Sequence, residues 1–211
     1  MDEKELLSDL QHGFRRKRSC ESQLTIFVDE LTRHIKDGQQ VDAVVMDFSK
    51  AFDVVPHGSL LVKLEYYGIR GNTLQWIDSF LRSRTQRVVV DAEMSDVAPV
   101  TSGVPQGSVL GPILFLVYIN DMPESITSTS RLFADDTIVY RKVESEDDHQ
   151  LLQNDLKALE EWESKWGMSF NPSKCSVVHV SKKKSPLNFT YTLKNETCDI
   201  IYCQLPRNLN I

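Results

Sequence analysis

Residues 133–136 read Phe-Ala-Asp-Asp, an acidic doublet between two short β-type runs, Ser130-Arg131-Leu132 and Thr137-Ile138-Val139-Tyr140. Adjacent carboxylates repel, and a hairpin turn is served equally well by Asn or Gly. A divalent cation seated between the doublet and a third acid gives the charges a purpose. Asp47, at the end of the mostly apolar run Val41 to Met46, is the natural third acid. Mg²⁺ prefers oxygen ligands and is commonly held by one or two carboxylates plus substrate phosphates. Two such ions ~3.5–4 Å apart clamp the attacking and leaving oxygens of a phosphoryl transfer. Taken alone, Asp135-Asp136 is explained as well by a solvated turn. The flanking strands and the apolar residues before the doublet favour the metal reading.

Asp47 opens a second block, Asp47-Phe48-Ser49-Lys50-Ala51-Phe52-Asp53. If Asp47 faces the metals, the chain turns beneath an incoming nucleotide. Backbone N–H groups of Phe48, Ser49, Lys50 and Ala51 then hold its phosphates as a nest does. Phe52 is placed to pack under the sugar, where a ring excludes the 2′-hydroxyl that separates RNA from DNA precursors. An ordinary core aromatic is the competing account of Phe52, and Asp53 reads as structural. A third block, Ser102 to Pro112, holds Gly103, Gly107 and Gly111 with Pro105 and Pro112. Such a shaped backbone lets a nucleic-acid strand approach at Gly107, with Gln106 bonding nucleotide or template. A plain turn and helix start explains it equally. In the basic run Gln11 to Arg18, Arg15 is a candidate for template phosphates. Lys174 is a candidate to protonate or steady the leaving pyrophosphate. A solvated charge run and a surface lysine are the ordinary alternatives.

These residues need a scaffold. Leu24, Phe27, Val28, Leu31 and Ile35 share one helical face, which Gly38 ends. Val41 to Phe48 reads as a strand. Pro56 opens a second helix with Leu60, Leu61, Leu64 and Tyr67 inward, and Asn72 caps a third. Residues 87–91 and 97–101 pair as strands with a loop around Met94. A helix is expected over about 109–120, a hairpin around the doublet, a long helix over about 148–166 and a strand over 175–181. Hairpins among helices favour an α+β layer, an antiparallel sheet with helices on one face.

The chain has 211 residues, 41% of them hydrophobic, and a net charge of −6. That supports one sizeable core, and an acidic balance is unusual for a free-standing nucleic-acid binder. The charge is uneven: Arg15 to Arg18 and Lys182 to Lys184 are basic, and Glu144 to Glu163 reads as an acidic, solvated helix face. The four cysteines lack CxxC spacing and read as idle thiols. The longest apolar run, Val109 to Ile119, falls well short of the ~20 residues that span a bilayer. The expectation is a soluble protein of the cell interior, in cytoplasm or nucleus, with no membrane partner; the sequence leaves the oligomeric state open.

Together the blocks Gln-His-Gly-Phe-Arg at 11–15, Asp-Phe-Ser-Lys-Ala-Phe-Asp at 47–53, Gly-Val-Pro-Gln-Gly-Ser-Val-Leu-Gly-Pro at 103–112, Phe-Ala-Asp-Asp-Thr at 133–137 and Asn-Pro-Ser-Lys-Cys at 171–175 resemble the reverse transcriptase of non-LTR (LINE-type) retrotransposons, particularly the Jockey-like group. The resemblance implies a right-hand polymerase palm with part of the fingers and no thumb. It implies RNA-directed DNA synthesis with an RNA template, a DNA primer and dNTPs, and two Mg²⁺ ions, with Mn²⁺ as a substitute. Asp47, Asp135 and Asp136 are then the catalytic and metal-binding carboxylates, Phe52 the sugar gate and Gln106 a nucleotide or template contact. Residues 1–184 form the fingers and palm region. Residues 185–211 diverge and are expected to be a loosely ordered tail, so the chain reads as truncated at both ends. The alternative is a catalytically inactive remnant that binds nucleic acid or protein. A third candidate is another two-metal nucleotidyl transferase, such as an RNA polymerase, although a small residue in place of Phe52 would suit that better.

Overall fold

The computed structural model describes residues 6–204. In chain order the elements are α1 (Cys20–Lys36), β1 (Gln40–Met46), α2 (Ala51–Val54), α3 (His57–Tyr66), α4 (Gly71–Arg82), the short strands β2 (Thr85–Gln86), β3 (Val89–Val90), β4 (Glu93–Met94) and β5 (Ala98–Pro99), α5 (Leu110–Ile119), β6 (Thr129–Phe133), β7 (Asp136–Val143), α6 (Glu146–Trp166), β8 (Ser176–Ser181), β9 (Thr192–Leu193), β10 (Glu196–Thr197) and β11 (Asp199–Gln204). They fall into two units. A sheet unit takes residues 6–49, 120–165 and 169–204; a helical unit takes 50–119 and 166–168.

In the sheet unit the strand order is β11-β8-β1-β7-β6. The four strands β8, β1, β7 and β6 are antiparallel, as expected, but β11 joins β8 in parallel, so the sheet is mixed. Val41 and Ala43 of β1 pack with Tyr140 against Phe27 and Leu31 of α1. Asp42, Val44 and Met46 point to the opposite face and are buried as well. β1 is thus covered on both faces rather than one, which is why its sequence is nearly continuous apolar rather than alternating. Helix α1 begins at a reciprocal capping box between Ser19 and Ser22. Only part of its apolar stripe is used: Ile35 is buried, but Leu24 and Val28 remain about half exposed.

Two expectations need correction here. The acidic stretch 144–163 is not wholly a solvated face. Asp155 is buried and accepts the backbone N–H groups of Thr127 and Ser128, and buried Glu163 accepts the N–H of Phe170 and pairs with Lys194 at 2.8 Å. Nor does the chain loosen after residue 184. β9 and β10 form a hairpin, Tyr191 and Leu193 are fully buried, and β11 extends the sheet. The rest of the tail, 205–211, lies outside the described residues.

In the helical unit α3 packs against α4 and α5. Leu60, Leu64, Ile77, Leu81, Leu114 and Phe115 are buried. Asn72 lies within the first turn of α4 rather than at its cap; Arg70 holds the N-cap position without a side-chain capping bond. The strands expected at 87–91 and 97–101 are two short ladders, β2 with β5 and β3 with β4. Their turn is Asp91-Ala92, both in the left-handed region, the conformation a two-residue hairpin demands, so Met94 lies in a strand. Among the described residues no helix is long and apolar enough to cross a membrane.

Candidate active site

The pairing register brings the acids to one end of the sheet. Met46 of β1 faces Thr137 of β7, so the next residue along, Asp47, comes level with Asp136. Phe133 faces Asp136 across the β6–β7 hairpin, which leaves Ala134 and Asp135 as its two-residue turn. Ala134 sits at φ 57, a left-handed conformation that costs a non-glycine residue roughly 1–2 kcal/mol.

A brace holds that turn. The side-chain amide of Gln11 donates to the Ala134 carbonyl (3.0 Å) and accepts from the Ala134 N–H (2.8 Å). The same Gln11 oxygen accepts the Gly13 N–H at 2.7 Å. A Cβ on Gly13 would lie 2.2 Å from the Ala134 nitrogen, so only glycine lets the two backbones approach this closely. The segment also pairs with β6: His12 N–H donates to the Leu132 carbonyl and Leu132 N–H to the Leu10 carbonyl. Sequence reasoning assigned this block to template phosphates and missed the roles of Gln11 and Gly13. Arg15 donates to the carbonyls of Leu7 and Ser8, tying down its own segment.

Asp47 is anchored by its backbone. Its carbonyl accepts the Asn171 N–H (2.8 Å), and the Ser49 N–H donates to the Ser169 carbonyl (2.7 Å). The Phe48 ring stacks on Phe170 with centroids 4.3 Å apart. Within the expected phosphate nest, therefore, the Ser49 amide is already engaged and the Phe48 side chain belongs to the core. The same pairing draws the Asn171–Lys174 turn to the carboxylate. Lys174 Nζ lies 2.8 Å from the Asp47 Oδ2, and Asp47 holds the ammonium above its usual range. That oxygen is buried and has no well-aligned hydrogen bond, so the contact is an ion pair of poor geometry.

The doublet is under electrostatic load. Burial pushes the Asp135 carboxyl above its ordinary range, and the charges of Asp136 and Asp47 push it further, against the pull of its own backbone N–H and of Lys174. Asp136 is raised by burial and by Asp47. Three hard oxygen donors with one lysine as counter-charge suit a hard cation. Among the described residues no three acids, histidines or cysteines close a metal cage. Mg²⁺ needs no such cage when substrate phosphates complete its shell, so the donor set fits it.

The helical unit holds the remaining candidates. Lys50, at φ 52, starts α2, and Ala51 is buried. The Phe52 ring stacks on Phe115 at 4.4 Å, leaving it partly exposed. The glycine-rich loop docks along residues 52–55. Gly103 N–H donates to the Val55 carbonyl, Val104 N–H to the Phe52 carbonyl and the Ser102 hydroxyl to the Asp53 carbonyl, each at 2.8 Å. Gly103, at φ 84, has no room for a Cβ, which would sit 2.6 Å from the Asp53 carbonyl oxygen. Gln106 donates to the Asp53 carboxylate at 2.8 Å, while Gly107 faces open space. Lys50, Asp53, Arg84, Gln86, Ser102 and Gln106 help line a hollow of about 580 Å³. Arg84, which also donates to the Gly103 carbonyl, had no sequence signal beyond its charge.

The profile of the family described as "Reverse transcriptase (RNA-dependent DNA polymerase)" matches residues 1–198. The chain is 32% identical over 182 residues to the RNA-directed DNA polymerase from mobile element jockey of Drosophila melanogaster, covering 82% of this chain and 20% of the relative. Its Drosophila funebris counterpart is 34% identical over 180 residues, covering 80% and 19%. The chain thus spans about a fifth of the length of these curated relatives. Among solved structures, telomerase from Candida tropicalis in complex with a TWJ fragment of telomeric RNA superposes with a TM-score of 0.60 at 12% identity, over 80% of this chain and 30% of that one. Telomerase from Candida albicans with the same kind of fragment gives 0.58 at 14% identity, over 85% and 32%. At such identities the likeness is one of fold.

Proposed function

The chain belongs to the reverse transcriptase family, and from that premise we propose that it carries the catalytic centre of RNA-directed DNA synthesis. The supporting observation is the register that sets Asp47 level with Asp136 while Gln11 braces the turn bearing Asp135. In this reading the primer 3′-hydroxyl attacks the α-phosphate of a dNTP paired with an RNA template, and pyrophosphate leaves. Asp47 and Asp135 would hold two Mg²⁺ ions, with Asp136 supporting them. The bound ions would neutralise charge developing on the attacking and leaving oxygens. Lys174 would turn from Asp47 to the leaving pyrophosphate once the carboxylate has a metal partner. Phe52, backed by Phe115, would exclude the 2′-hydroxyl. Lys50, Ala51, Gln106 and Gly107 would contact nucleotide or template. Work on such a template places the protein inside the cell, in cytoplasm or nucleus.

Primer extension on an RNA template with Mg²⁺ tests this. Asp135→Ala is expected to lower extension by at least about 10³-fold. Equal extension by wild type and variant would overturn the assignment. A second reading, a non-catalytic binding module, draws on the Asp47–Lys174 ion pair, which occupies a carboxylate that a metal would need. That reading requires nucleic-acid binding without extension by the wild-type chain.

A further inference from the structure

A second polar cluster lies further back along β1, roughly 16 Å from Asp47 at the rise of a strand. Asp42 is fully buried and accepts hydrogen bonds from His179 Nδ1 (2.7 Å), Gln40 Nε2 (2.8 Å) and the Tyr191 hydroxyl (2.8 Å). Three donors suit a carboxylate's lone pairs. Because Nδ1 is turned to Asp42, the neutral ring presents a lone pair at Nε2. The His179 side chain is only 1% exposed, and Nε2 finds no hydrogen-bond partner among the described residues. Buried polar atoms rarely remain unmatched. The His179 side chain borders a hollow of about 210 Å³ that Ser181, Pro186, Asn188, Tyr202 and Cys203 also line.

We infer that this hollow receives one unpaired nucleobase of a single-stranded nucleic acid. The volume is below that of sites for drug-sized ligands, which sets a ceiling near a single ring system. Tyr202 is 59% exposed, with its ring centroid 5.5 Å from that of His179, and offers the π-face on which a base stacks. Admitting the base uncovers Nε2, which then takes an N–H from the base edge that a phosphate oxygen cannot supply. The Asn188 amide both donates and accepts, as an edge-reading group must. Lys182, Lys183 and Lys184 follow Ser181 directly and bring positive charge for the flanking phosphates. The site shares no residue with the carboxylate centre, and its occupancy does not depend on that reading.

The test is equilibrium binding of a labelled single-stranded oligoribonucleotide to the 211-residue chain at low salt in EDTA, beside an abasic oligonucleotide of equal length. EDTA removes any metal-bridged binding at the carboxylates. Tyr202→Ala is expected to weaken binding of the intact strand about tenfold, the order of a base–aromatic stack, and to leave the abasic strand unchanged. Asn188→Ala shifts it in the same direction, and Tyr202→Phe restores wild-type binding. Positions 188 and 202 are both exposed, so none of the three variants threatens the fold. Equal losses on both strands, or none, overturn the proposal. So does displacement of the strand by inorganic phosphate alike from wild type and Tyr202→Ala, which would mark an anion site. Absence of any binding overturns it too.

Discussion

Asp135 carries opposing demands that one substitution separates. Its carboxyl is raised in the folded chain, so the folded state holds the proton more tightly than the unfolded one. Stability therefore falls as pH climbs from the ordinary carboxylate range, near about 4, through the raised folded value, and the loss is complete above it. Asp135→Asn is expected to raise the melting temperature at pH 7, by the equivalent of roughly 0.5–1 kcal/mol after solvent screening, and to change nothing below pH of about 3. Mg²⁺ should stabilise the wild type more than this variant. Thermal melts at the two pH values, with and without Mg²⁺, measure both effects. A fall in melting temperature at pH 7 would show that Asp135 is a structural acid. Phe52 makes a different demand. Backed by Phe115, its ring is partly exposed, and Phe52→Val is expected to raise incorporation of ribonucleotides over deoxynucleotides about tenfold in competition assays. An unchanged ratio would return Phe52 to the core.

At the scale of elements, the hairpin that carries the doublet depends on a segment far away in sequence. Gln11 satisfies both backbone groups of Ala134 from within a buried setting. Gln11→Ala would leave them without partners, at a cost of about 1–3 kcal/mol, and would release a turn held in a left-handed conformation. Chemical denaturation should show that loss, and primer extension should fall further than the unfolded fraction explains. Extension tracking stability alone would make the brace merely structural. None of this was legible in the sequence. Periodicity located α3 and α6, and near-continuous apolar runs located β1 and α5, within a few residues, because the first pair buries one face and the second is covered nearly all round; β8 was found as well. The same patterning also placed Asp47 and the doublet at strand ends. It could not find Gln11, a partner of residues 123 positions away, nor the burial of Asp155 and Glu163, since their partners are loop amides rather than neighbours on the helix. β11 escaped because its pairing with β8 is parallel and follows a long connection.

For the whole molecule the question is how a chain of net charge −6 meets a polyanion. Its far field repels nucleic acid, so attraction must come from local clusters acting within about a Debye length, near 10 Å at 0.1 M salt. The basic run at 15–18 is less available than its composition suggests. Arg15 is engaged with two carbonyls, and Arg18 pairs with Asp9 at 2.5 Å. Lys17 is exposed, on a backbone at φ 61. If this run touches phosphate, exposed Arg16 and Lys17 are the residues placed to do so. Each phosphate contact on a single strand contributes roughly −0.7 to the slope of log affinity against log salt concentration. Lys17→Ala is therefore expected to weaken binding of single strands of any sequence by a similar factor and to flatten that slope by about 0.7 between 50 and 200 mM salt. Fluorescence titrations at three or four salt concentrations give the slope directly. An unchanged slope would mean that Lys17 makes no phosphate contact, and that the charge drawing in the strand lies elsewhere on the chain.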